Sequence, residues 1–135
     1  MTDRPKVGFV GAGRVGKGLS LSLSRAGYEI TGVAGRGQEQ HVVDASEVVF
    51  LTVPDDSLLL ACEKLDWEES KSAIHCSGAA ELSVLAHAAE QGAQVGGFHP
   101  LQMFAGSCIF GFDGQRQSFN GAQVKLRDLL GVDFF

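Results

Sequence analysis

The stretch Lys6 to Val33, KVGFVGAGRVGKGLSLSLSRAGYEITGV, decides the fold, because its hydrophobic period changes twice. Lys6 to Val10 reads as a buried strand that runs into a glycine turn. From Arg14 the apolar residues Val15, Leu19, Leu23 and Ala26 recur at helical spacing, and Gly27 stands where a glycine ends many helices. Glu29 to Val33 reads as a second strand. Strand, glycine turn, helix and strand within about thirty residues make a βαβ unit.

The turn in that unit is Gly11-Ala12-Gly13-Arg14-Val15-Gly16, a G-x-G-x-x-G sequence. Placed after a strand and at the start of a helix, it is the fingerprint of a dinucleotide-binding turn. Each glycine has its own reason. Gly11 permits the tight turn, Gly13 lets backbone approach a pyrophosphate, and Gly16 lets the helix lie close to the sheet. The helix start then offers N–H groups and a positive dipole end to phosphate.

Working outward, only Ala34 to Glu47 separates the second strand from Val48–Val53 (VVFLTV), which suits the centre of a parallel sheet. A full Rossmann half would fit a helix and a third strand there. The stretch is polar apart from His41–Val43, so the helix is expected to be lost or reduced to a turn, and the third strand missing or confined to those residues. Pro54 ends the central strand, and Asp55 and Asp56 are expected to cap a helix from Ser57 to about Leu65. Lys71–Cys76 reads as a strand. Ser77 then caps a helix from about Ala79 to Gln91, whose apolar face is Leu82, Leu85, Ala86 and Ala89. Gln94–Phe98 is another strand, Cys108–Phe112 a short one, and Asn120 to about Leu130 a helix. The expected fold is α/β: one domain over residues 1–135, with an open, mostly parallel Rossmann-type sheet and helices on both faces.

The net charge of −5 leaves no basic stripe of the kind that displaces counterions, which argues against nucleic acid as a partner. No apolar run reaches the roughly 20 residues of a membrane span, and Met1–Lys6 carries no signal-peptide core, so a cytoplasmic location is expected. Cys62, Cys76 and Cys108 are too far apart to suggest a metal or redox pair, and the four histidines show no i, i+4 pairing. No metal site is expected.

Several further residues carry candidate chemistry. The second strand ends in Val33-Ala34-Gly35-Arg36, with an arginine where NAD-preferring sites usually carry a carboxylate. A guanidinium suits a 2′-phosphate, so Gly35 and Arg36 favour NADP over NAD; a solvated surface arginine is the alternative. Thr52, Val53, Pro54 and Asp55 lie at a strand's carboxyl end, where ligands of open sheets bind. His75-Cys76-Ser77-Gly78 and Gly97-Phe98-His99-Pro100 lie at two more such ends. They make His99, Ser77 and His75 candidates for substrate binding or proton transfer, with ordinary structural roles as the alternative.

The succession GAGRVG, LTVPDD, HCSG and GGFHPLQMF over about residues 5–106 resembles a group of bacterial NADP-binding oxidoreductases with a Rossmann-like N-terminal domain and a helical C-terminal domain. Their wider clan includes 6-phosphogluconate dehydrogenase-like proteins, pyrroline-5-carboxylate reductase, deazaflavin-dependent NADP reductases and prephenate dehydrogenase. The resemblance implies that Gly11, Gly13 and Gly16 form the pyrophosphate loop, and that Gly35-Arg36 stands where relatives carry a Ser-Arg pair. It also implies that Ser77 and His99 match a serine and a histidine used by prephenate dehydrogenases. The helical domain that closes the pocket in that clan has no counterpart in this sequence, and the apolar patch left in its place would favour a homodimer. The expected function is NADP(H) binding within an oxidoreductase acting on a small carbonyl, imine or hydroxyl substrate. The alternative is a non-catalytic dinucleotide-binding or sensing module.

Overall fold

The computed structural model describes residues 5–77, 80–97, 99–104 and 107–111, the last two stretches and Leu82 by backbone alone. Five parallel strands form one sheet in the order β2-β1-β3-β4-β5, where β1 is Val7–Val10, β2 Ile30–Ala34, β3 Val48–Leu51, β4 Ser72–His75 and β5 Gln94–Gly97. Four α-helices accompany them: α1 (Arg14–Arg25), α2 (Glu39–Ala45), α3 (Leu58–Glu63) and α4 (Ala86–Glu90). This is the doubly wound Rossmann-type order with its usual third strand omitted. No described helix is long and apolar enough to cross a membrane.

Both faces of the sheet are buried, which is why β1, β3 and β4 are buried at every position. On one face α1 sets Leu19 and Leu23 against Val7, Phe9, Phe50 and Ile74. Phe9 and Phe50 stack there with ring centres 5.2 Å apart. On the other face α2, α3, α4 and the turn before α4 bring Val43, Leu58, Cys62, Ala88 and Leu85 onto Val10, Val49, Leu51, Ala73 and Val95. The chain passes from β1 to β2 on one side of β1 and from β2 to β3 on the other. The crevice at this reversal opens beyond the strands' carboxyl ends.

The connection after β2 differs from expectation. His41–Val43 forms no strand; it lies within α2, a seven-residue helix. The polar sequence does not melt this helix because Val42 and Val43 bury one side of it. Gly8 and Gly32 make room: a Cβ on Gly8 would run into the Val42 and Ser46 side chains, and one on Gly32 would stand 3.0 Å from Val42. Lys71, only 7 % exposed, donates from Nζ to the Ser46 carbonyl at 2.8 Å, holding the far end of the same helix.

Other boundaries shift too. Asp55 and Asp56 do not cap a helix with their side chains; with Ser57 they form a short 3-10 helix that leads into α3. Ser77 does accept from the Ala80 N–H at 3.0 Å, but the expected helix is a 3-10 stretch, Leu82–Leu85, followed by α4. Its buried residues include Leu85, Ala88 and Ala89, with Ala86 only half-buried. His99–Phe104, to which the sequence assigns no element, is β6, and it pairs antiparallel with β7, Ser107–Gly111, in a separate two-stranded sheet. Phe98 and the Asn120–Leu130 helix lie outside the described residues.

Candidate functional site

The glycine turn is held between two strands. Gly11 donates its N–H to the Ala34 carbonyl of β2 at 2.9 Å, and the Thr52 N–H, just past β3, bonds the Val10 carbonyl at 2.8 Å. Gly11 takes φ +117°, and a Cβ there would meet the Thr52 carbonyl at 2.8 Å, so both conformation and space demand glycine. A Cβ on Gly16 would run into the Gly11 carbonyl oxygen and meet the Thr52 hydroxyl at 2.7 Å. The helix therefore lies against the turn at this point, as the spacing predicted.

Gly13 is different. It has φ −81°, open to any residue, and a Cβ on it would meet nothing within 4 Å. Gly13 is the N-cap of α1, where no side chain caps the helix and no acidic residue occupies the first turn. The packing of the described residues gives no reason for glycine here. A ligand lying on the helix start would give one.

A cavity of about 1080 Å³ opens over this helix start. Its walls include Gly11, Ala12, Gly13, Arg14 and Val15 from the turn, Gly35 and Arg36 beyond β2, and Thr52, Val53, Pro54 and Asp55 beyond β3. Every residue singled out from sequence for dinucleotide binding lines it except Gly16, which is buried beneath the turn. The volume suits an extended ligand, since small-molecule pockets run to about 300–1,000 Å³.

Sequence reasoning missed part of the wall. Ser57, Leu60, Ala61 and Lys64 also line the cavity, as do Glu39, Gln40 and Cys76. The first four recur at i, i+3, i+4 and i+7, one stripe of a helix, while Leu58, Cys62 and Leu65 form the neighbouring buried stripe. That second stripe was legible as core; the first is recognised as a cavity wall only once the fold shows what it faces. Leu60 is 56 % exposed, an apolar side chain left on the open wall.

The candidates for chemistry separate. Ser77 lines the cavity. His75 does not; it is 3 % exposed, and its Nδ1 accepts the Ser77 N–H at 3.1 Å. That bond places the proton of a neutral ring on Nε2 and uses the imidazole to hold the backbone beneath Ser77. His99 opens β6, opposite Gly111; the role expected of its imidazole lies outside the described side chains. Burial pushes the Cys76 thiol well above its ordinary range, which disfavours the nucleophilic thiolate. Among the described residues no group of three or more His, Cys, Asp or Glu side chains could hold a metal ion.

No protein-family model matches the chain, and no curated protein matches it in sequence.

Proposed function

We propose that the cleft binds a pyridine dinucleotide, NADP(H) in preference to NAD(H), and that the chain is the cofactor domain of an oxidoreductase for a small carbonyl, imine or hydroxyl substrate. The observation that carries this reading is Gly13, a glycine whose missing side chain leaves space over an uncapped helix start on the wall of a large cleft. In this reading the N–H groups of the first turn of α1 bind pyrophosphate. Arg36 takes a ribose 2′-phosphate with its planar fork, and Arg14 adds positive charge at the turn. Thr52 to Asp55 line the nicotinamide side, with Ser77 as the polar group nearest the substrate. The bound cofactor would supply hydride transfer; the chain supplies binding and orientation.

A non-catalytic binding or sensing module is the second reading. It is favoured by the placement of His75, which is buried, bonded to the Ser77 backbone and not part of the cleft lining. Thermal unfolding with NADPH and NADH tests the shared part. Ligand binding to the folded state stabilises it by about 2.7 kcal/mol at a hundredfold excess over Kd. A larger shift with NADPH than with NADH is expected, and no shift with either would sink both readings. Turnover of NADPH with a panel of carbonyls and imines then separates enzyme from sensor.

A further inference from the structure

Arg36 is not the sole cation available to its end of the cleft. Lys64 lines the same cavity from the residue that follows α3. Two hydrogen bonds anchor the chain two residues beyond it. Gln40 Oε1 accepts from the Asp66 N–H at 2.9 Å, and Gln40 Nε2 donates to the Asp66 carbonyl at 3.2 Å. Gln40 belongs to the first turn of α2, shortly after Arg36. The clasp therefore ties the segment after α3 to the first turn of α2, which follows the loop that carries Arg36.

Neither Arg36 nor Lys64 has a side-chain hydrogen-bond or ion-pair partner among the described residues. The nearby carboxylate of Glu39 is turned onto the backbone, accepting the Gly37 N–H at 2.8 Å. Arg36 and Lys64 line one cavity, and two like charges drawn together there would repel unless an anion lay between them. A fork and a point charge approaching from two walls suit a single tetrahedral phosphate.

We propose that Lys64 is a specificity-determining residue that shares a ribose phosphate with Arg36, and that Gln40 is the positioning residue that holds it there. The inference rests on the dinucleotide reading above. It adds a wall that the shortened connection after β2 would otherwise lack: α3 and the clasp stand in for a third strand and its helix.

Calorimetric titration of the full chain tests it with four ligands: NADPH, NADH, 2′,5′-ADP and 5′-AMP. Lys64→Met should weaken NADPH and 2′,5′-ADP about tenfold while NADH and 5′-AMP stay within about twofold. Lys64→Arg should keep the preference. Gln40→Leu should lower the NADPH-to-NADH ratio, a change that loss of stability alone would not cause. Lys6→Met, at the far end of β1, should alter nothing. If the native chain binds NADPH and Lys64→Met shifts the phosphorylated and unphosphorylated ligands alike, or shifts neither, the role of Lys64 is overturned and the dinucleotide reading stands. If the native chain binds none of the four, both fall. Lys64 is exposed, so its variants test the proposal even where Gln40→Leu does not fold.

Discussion

The Thr52 hydroxyl donates to the Gly11 carbonyl at 2.8 Å, tying the exit of the central strand to the glycine turn forty-one positions earlier in the chain. Val10 offers a second, weaker acceptor at 3.3 Å. Thr52→Val keeps the shape of the side chain and removes the donor. The expected cost is about 1 kcal/mol of stability. A looser turn should also bind NADPH several-fold more weakly. Denaturant unfolding and calorimetry of the same variant check the two effects; unchanged binding would mean the turn is held without Thr52.

The glycines of the turn should separate into two kinds. Gly16→Ala places a methyl against the Gly11 carbonyl and the Thr52 hydroxyl, so it should destabilise by about 1–3 kcal/mol, as overpacking does. Gly13→Ala meets nothing in the protein and should unfold within a few degrees of the native chain. It should nevertheless lose NADPH binding by tenfold or more, because the methyl stands where the ligand would lie. A Gly13→Ala variant that binds normally would remove the main support for the dinucleotide reading.

Lys71 predicts an effect on stability alone. It is 7 % exposed, and its Nζ reaches the Ser46 carbonyl at 2.8 Å and the Asp44 carbonyl at 3.4 Å. Lys71→Met should cost about 1–3 kcal/mol, because buried acceptors at the end of α2 lose their donor. Urea midpoints measure this. Binding measured well below the unfolding transition should stay unchanged.

Cys62 predicts an alkaline limb of stability. Burial pushes its thiol up from the ordinary 9.0 to about 11, with the Ala88 backbone pulling it partly back. The folded state therefore holds this proton more tightly than the unfolded state. Its contribution is complete below about pH 9 and is lost as pH rises towards about 11. Unfolding curves at several alkaline pH values should show a steeper loss for the native chain than for Cys62→Ala. Parallel curves would mean the thiol titrates normally. In the native state Cys62 should also react slowly with thiol reagents at pH 8, and quickly once urea unfolds the chain.

What the sequence by itself determined was local. The positive φ at Gly11, the approach of Gly16 to the Gly11 carbonyl, the helix ending before Gly27 and the apolar run of β3 each belong to one turn or one strand. Period and glycine position reveal such features directly. Arg36 was legible for the same reason, since it stands at a strand end whose geometry the βαβ unit fixes. Tertiary structure decided the rest. His41–Val43 fits a strand or a helix by composition, and space over Gly8 and Gly32, glycines from two other elements, makes it helix. His75 and Ser77 are two residues apart and looked alike as candidates, yet one is buried with its ring bonded to the backbone and the other lines the cleft. Lys64 was one charge among many until folding set it on the cavity wall that Arg36 also lines, near a Gln40–Asp66 clasp spanning twenty-six positions. Contacts between distant segments leave no period in the sequence, because the partner that selects each residue is supplied by folding.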